Sequence, residues 1–329
     1  MPGNASYLVI AGLAILIAFV LLGPRPRINV DSRPSPPVPN QLAEMDQWLL
    51  DQESRFDDIV DGAEKAIYWA DPEQPETTEV AIVYLHGLSA TRQEISPVPE
   101  DVAKALNANI YMARIDGHGR GSAAMGDFGA DEWITSTWEA WHVAKTLGNK
   151  VIIIGTSTGV TLASWLINQP GVSDQVESMV FVSPNYGPKD SSSAALTYPW
   201  AETWVPWIKG DTHSWEPKNE MQAKYWTTSY PVRALHQMQA LVEWARNQDY
   251  SGINIPTLFI YSDYDEVVEP KYTDEIYLQW GGAKERMNID YMDNSSNHVI
   301  AGDILAPENN QLLVERIGRF IAKHKPGMS

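Results

Sequence analysis

Between residues 64 and 325 the chain alternates short β-branched apolar runs with longer stretches of helical period. The runs predict strands over Glu64–Trp69, Val80–Leu85, Asn109–Ile115, Lys150–Ile154, Ser178–Val182, Thr257–Ser262 and Arg286–Met292. Between them Val98, Val102 and Leu106 share one helical face, and helical patterns cover Trp133 to Leu147 and Thr158 to Asn168. Leu313, Ile317, Phe320 and Ile321 form a further stripe behind Pro307, a residue suited to a first helical turn. Val151 to Ile154 is apolar at every position, so that strand is buried on both faces, as in a sheet covered by helices on both sides. The predicted fold class is therefore α/β, with a mostly parallel, doubly wound sheet.

Two stretches depart from this rhythm. Residues 186–250 hold no convincing strand but six of the 13 tryptophans (200, 204, 207, 215, 226 and 244), too much chain for a simple connection. An inserted helical subdomain is expected there, its tryptophans forming a small core or lining an apolar pocket. The other stretch is Tyr7–Leu22, an uncharged apolar run of 16 residues followed by Gly23, Pro24 and the basic side chains Arg25, Arg27 and Arg33. It has no basic residue before it and no small-residue cleavage site after it, so an uncleaved transmembrane anchor is favoured over a signal peptide. The flanking arginines would put the remainder of the chain on the cytoplasmic side. The expected organisation is an anchor over residues 1–23, a proline-rich spacer over 24–40, a core made of 41–185 and 251–329, and the insertion 186–250.

The charge balance narrows the partners. With 24 Lys and Arg against 42 Asp and Glu, the net charge of -18 repels a phosphate backbone, which excludes nucleic acid. The absence of cysteine removes disulfides, thiolate metal sites and Cys nucleophiles together. No group of histidines and carboxylates has zinc-like spacing, so neither metal nor organic cofactor is expected.

The chemistry concentrates where the apolar run Val151–Ile154 meets Gly155-Thr156-Ser157-Thr158-Gly159 and a helical pattern follows. Gly-x-Ser-x-Gly between strand and helix presents a serine Oγ on a sharp turn, with glycines where neighbouring backbone must approach. The Thr158 N–H then sits at a helix N-terminus, free to bind a developing oxyanion. A base and an orienting carboxylate must follow. Beyond the late strands lie only His298, after the polar loop 293–297, and His324, beside the C-terminus, and the placement favours His298. For the acid, Asp263, Asp265 and Glu266 compete at the end of Thr257–Ser262.

These features together resemble the α/β-hydrolase superfamily, in particular the lidded serine hydrolases that include monoacylglycerol lipases, carboxylesterases and proline-iminopeptidase-like enzymes. Four ordered signatures carry the resemblance over most of residues 64–325: His86-Gly87-Leu88, Asp116-Gly117-His118-Gly119-Arg120, the Ser157 elbow, and a late Asp and His. It implies an α/β-hydrolase fold with residues 186–250 as a lid. It implies an oxyanion hole from the Leu88 and Thr158 amides, with His86 structural. The family's Gly-x-x-Asp-x-Val-Val pattern falls on Asp265, with Ser262 in the glycine place. A serine at the nucleophile position argues against the haloalkane dehalogenases and epoxide hydrolases of the superfamily, which use aspartate.

The expected protein is a membrane-anchored carboxylic ester hydrolase acting on acyl or lipid-like substrates through Ser157, His298 and Asp265. A peptidase or amidase with the same machinery is the alternative, its substrate amine held by an acidic insertion residue among Glu202, Asp211, Glu216, Glu220 and Glu243. A non-catalytic tethered binding protein is a third reading, against which the complete nucleophile, acid and base argue.

Overall fold

All seven expected strands join one sheet. The computed structural model describes residues 3–31, 33–34, 37–293 and 296–324, so Asn294 and Ser295 of the loop before His298 lie outside the described residues. In chain order the main elements are α1 Gly3–Leu21, α2 Met45–Glu53, β1 Ala66–Tyr68, β2 Thr78–Leu85, α3 Val98–Leu106, β3 Asn109–Met112, α4 Ser122–Asp127, α5 Ala130–Leu147, β4 Gly148–Thr156 and α6 Thr158–Ile167. They continue with β5 Val176–Val182, α7 Ala201–Lys209, β6 Thr212–Ser214, α8 Glu220–Tyr225, β7 Ser229–Pro231, α9 Arg233–Arg246, β8 Thr257–Tyr261, α10 Pro270–Gln279, β9 Lys284–Asn288 and α11 Asn310–His324.

The sheet runs β1-β3-β2-β4-β5-β8-β9, parallel throughout except for β1, which pairs antiparallel with β3. Strand β4 shows why both faces are apolar. Val151 and Ile153 enter the core shared with α5 and α6, while Ile152 and Ile154 enter the opposite core, which holds Val98 and Val102 of α3 and the Leu313, Ile317, Phe320, Ile321 stripe of α11. Strand β3 ends earlier than expected, because the Ile115 N–H leaves the ladder to donate to His86 Nε2. The β9 ladder ends at Asn288, with Ile289 N–H still donating to the Tyr261 carbonyl, while the expected run to Met292 turns away.

Three expectations are corrected here. The insertion between β5 and β8 is not purely helical: β6 and β7 form a small antiparallel pair, too short for a period-two pattern to register. The described residues of segment 24–40 are not a free spacer. Ile28, Val30 and Val38 pack against the core, Trp165 Nε1–H donates to the Val30 carbonyl at 2.9 Å, and Arg25 donates to the Thr197 carbonyl at 3.0 Å. The transmembrane anchor expected over residues 1–23 is not supported: among the described residues no helix is long and apolar enough to cross a membrane. Helix α1 has 19 residues and opens on Gly3-Asn4-Ala5-Ser6, so the apolar part from Tyr7 onward is shorter than the ~20 residues that span ~30 Å of hydrocarbon.

A buried ion pair joins α2 to the strand side of the core. Arg114 Nε and Nη2 each donate at 2.7 Å to the two oxygens of Glu53, with both side chains buried. Burial opposes ionisation of Glu53, but Arg114 and the Lys65 N–H outweigh it and hold the carboxyl below its ordinary value. Glu53→Ala leaves the guanidinium buried without its partner, and chemical denaturation should show a loss of about 3–5 kcal/mol at neutral pH.

Candidate active site

Strand β4 delivers the chain to Ser157 at its carboxyl end, and α6 begins at the next residue. Ser157 has φ 52° and ψ -118°, a left-handed strained conformation, and its N–H donates to the Val182 carbonyl at 2.9 Å. The two flanking glycines are required by contact. A Cβ on Gly159 would stand 2.0 Å from the Leu85 carbonyl oxygen, and one on Gly155 would stand 3.0 Å from the Gly159 backbone. The elbow therefore closes directly against the end of β2.

The loops after β8 and β9 bring an imidazole and a carboxylate to this serine. His298 Nε2 lies 2.9 Å from Ser157 Oγ, and His298 Nδ1 lies 2.7 Å from Asp265 Oδ2. The other oxygen of Asp265 accepts from the Val267 and Val268 N–H groups at 2.8 and 2.9 Å, which fixes the carboxylate plane. Ser183 Oγ donates to the His298 carbonyl, and the Glu266 N–H donates to the Ser296 carbonyl, tying the two loops together. All three side chains are buried. Burial works against a charged imidazolium, but the charge and hydrogen bond of Asp265, helped by Glu94, prevail and raise the His298 pKa above its ordinary 6.5.

The competitors lie elsewhere. Asp263 is half exposed and paired with Arg286. His324 faces Glu285 at 3.3 Å, on the α11 side of the sheet. His86 is buried, with Nδ1 2.9 Å from the Gly87 carbonyl and Nε2 accepting from Ile115 N–H at 3.1 Å, so its imidazole is neutral and locks the turn after β2. The Asp116–Arg120 loop packs beside it, with His86 and His118 rings 5.0 Å apart.

Leu88 and Thr158 both line the cavity that opens at Ser157. Among the described residues neither of their N–H groups takes an intramolecular acceptor, so both are free for an anionic oxygen. The turn carrying Leu88 is held from above as well, because Thr227 N–H of the insertion donates to the Ser89 carbonyl at 2.8 Å.

The cavity measures about 520 Å³. Its walls are mainly apolar, from Leu88, Val267, Val268, Leu235 and Met238, and the insertion roofs it with Trp215, Trp226 and Tyr230. Of the other expected tryptophans, Trp204 packs in a small cluster with Leu196 and Val205, Trp244 packs on the main core, Trp207 is exposed, and Trp200 meets Phe19 of α1 in a tilted pair with ring centroids 4.8 Å apart. Of the five acidic insertion residues only Glu216 reaches the cavity. Among the described residues no group of histidines and carboxylates stands close enough to hold a metal ion.

Known proteins share the family and the fold of this chain. The family model described as serine aminopeptidase, S33, matches residues 76–292. The thermostable monoacylglycerol lipase of Bacillus sp. strain H-257 is 24% identical over 255 residues, covering 78% of this chain and 95% of that protein. Among solved structures, one from a study of the metagenome-derived lipolytic enzymes LipS and LipT superposes with a TM-score of 0.67 at 21% identity, covering 81% of this chain and all of the other. A soluble variant of the Saccharomyces cerevisiae monoglyceride lipase superposes with a TM-score of 0.59 at 9% identity, covering 80% and 91%. At these identities the structural likeness establishes the fold.

Proposed function

This chain belongs to the serine aminopeptidase (S33) family of α/β-hydrolases, and from that premise we propose that it hydrolyses carboxylic esters with an apolar acyl group through an acyl-enzyme on Ser157. His298 Nε2 takes the Ser157 Oγ proton as the oxygen attacks the ester carbonyl carbon. The Leu88 and Thr158 amides receive the oxyanion of the tetrahedral intermediate. The bond to the leaving oxygen then breaks as His298 returns its proton to that alcohol. Water, deprotonated by the same imidazole, attacks the acyl-enzyme, and the acid leaves as the bond to Ser157 Oγ breaks and His298 returns the proton to that oxygen. Asp265 holds the Nδ1–H tautomer throughout, so that Nε2 faces the serine.

The observation that carries this reading is the unbroken hydrogen-bond relay Asp265–His298–Ser157 at the floor of an apolar, roofed cavity. The relatives' names support it, since a monoacylglycerol lipase is similar in sequence, and a monoglyceride lipase and a structure from a study of lipolytic enzymes are similar in fold. Ester chemistry is favoured over aminopeptidase chemistry because most of the surface that the cavity presents to a substrate is apolar.

The test is the full chain in mild detergent against p-nitrophenyl esters of acyl length C2 to C16. We expect kcat/KM to rise with chain length and then fall steeply once the acyl group outgrows the cavity. A maximum on aminoacyl arylamides, with negligible ester cleavage, would replace the ester reading by the peptidase one.

A further inference from the structure

One buried carboxylate beside the nucleophile has no part in the mechanism above. Glu94 follows the turn after β2, is 2% exposed, and lines the Ser157 cavity. Its Oε2 accepts from the Gly87 N–H at 2.7 Å and lies 3.3 Å from Tyr84 Oη, which in turn is 3.2 Å from Thr156 Oγ1. Its Oε1 faces the space between Gly87 and the nucleophile: a Cβ on Gly87 would stand 2.7 Å from that oxygen and 3.1 Å from Ser157 Cβ.

The backbone around Gly87 gives this contact a purpose. On one side the His86 ring bonds the Gly87 carbonyl, and on the other Glu94 takes the Gly87 N–H. Both polar groups of that residue are thereby satisfied by buried side chains, and these bonds add to those of the Ala90 N–H to the Gly87 carbonyl and the Thr227 N–H to the Ser89 carbonyl in fixing the turn. The next N–H along the chain, that of Leu88, is the one left for an oxyanion. A donor in an oxyanion hole loses most of its value if it must reorganise during the reaction.

We propose that Glu94 is a positioning residue of the oxyanion hole, which clamps the Gly87 peptide so that the Leu88 N–H stays aimed at the reacting carbonyl and which acts on the charge state of His298 from across the cavity. The proposal rests on the assignment of Ser157 and His298 made above. Burial raises the Glu94 pKa to about 7, against the opposing pull of the Gly87 N–H, His298 and Tyr84. An ionised Glu94 also favours the imidazolium of His298. The ionisable groups that share the space are Tyr84 from β2, His298 from the loop after β9, and His213, Glu216, Lys218, Tyr230 and Glu266 on the cavity wall. Tyr84 stays a phenol, its own ionisation pushed well up by burial.

The two effects separate in two variants. Glu94→Ala removes the acceptor and the charge, whereas Glu94→Gln keeps an oxygen for the Gly87 N–H and removes only the charge. The readouts are kcat and KM for a p-nitrophenyl ester over pH 5 to 9, and the rate of Ser157 phosphonylation by a p-nitrophenyl alkylphosphonate. Phosphonylation uses the same base and hole whatever the natural ester. We expect Glu94→Ala to lose about 10- to 100-fold in kcat and in phosphonylation rate with KM little changed, the scale of a misaimed donor. Glu94→Gln should recover the larger part of that loss. In both variants the acid limb of kcat/KM should move to lower pH, because His298 loses a neighbouring negative charge. A purely architectural Glu94 would leave that limb in place, and such a result, or a Glu94→Ala enzyme with wild-type kcat, overturns the proposal. Equal losses in both variants, accompanied by a fall in melting temperature and an unmoved limb, overturn it as well. Wild-type protein that is phosphonylated at Ser157, beside an inert Ser157→Ala, keeps the ester-hydrolase reading standing even when the Glu94 proposal fails; wild-type protein that does not react brings down both.

Discussion

Ser157→Ala should lower kcat for ester hydrolysis by about 10⁴- to 10⁶-fold while leaving the fold and the substrate affinity close to those of the native protein. The size follows from what the alanine removes. It takes away the oxygen placed 2.9 Å from His298 Nε2, and with it the covalent route that splits acyl transfer into two easier steps. What remains is the pair of free amides at Leu88 and Thr158 and the apolar cavity, which position an ester without providing a nucleophile. The strained Ser157 backbone is no obstacle to the variant, since the left-handed conformation costs alanine about as much as serine. A residual rate within tenfold of wild type, measured on protein of native melting temperature, would refute the role given to this serine.

The second large effect distinguishes two acids two residues apart. Asp265→Asn should reduce kcat by about 10³- to 10⁴-fold, because an amide at this position presents its NH₂ to the imidazole and favours the wrong tautomer. Asp263→Asn should leave kcat within about twofold, as Asp263 is half exposed and occupied by Arg286 at the surface. The pH profile should change with the first substitution only. In the native protein His298 must be neutral to act as base, and Asp265 raises its pKa above 6.5, so activity falls as the pH drops through that raised value. Removing the Asp265 charge lets burial dominate, and the acid limb then moves to lower pH. Steady-state kinetics of the two variants between pH 5 and 9 check both statements.

The centre of the sheet was legible in the sequence because its strands are buried on both faces: Val151 to Ile154 needs no turn signal or partner to be recognised. The elbow was legible for a related reason, since Gly159 answers the steric demand of passing close to the end of β2, and Gly155 that of the turn folding back on the Gly159 backbone. The choice between Asp263 and Asp265 was not decided by the residues alone. Both lie in the same acidic stretch, and only the turn that gives one of them the Val267 and Val268 amides, and the other Arg286, separates them.

What the sequence hid depends on contacts distant along the chain. Glu94 sits in the polar stretch Thr91-Arg92-Gln93-Glu94, which reads as a surface loop until the turn folds it back onto Gly87. The segment 24–40 reads as a spacer because prolines dominate it, yet the three apolar residues among them find grooves on the core. In the insertion, the aromatic content was plain but its division of labour was not: Trp215 and Trp226 face the cavity, while Trp204 and Trp244 serve packing.

The central claim is that ester hydrolysis passes through an acyl group on Ser157. It is tested most directly by mixing the protein with a p-nitrophenyl ester, quenching with acid in the first turnovers, and locating the added mass by peptide mapping. The account predicts a burst of one p-nitrophenol per protein chain and an acyl increment on the peptide that contains Ser157, both absent from Ser157→Ala. Turnover of the ester with no acyl group on that peptide, or with the increment on another residue, would contradict it.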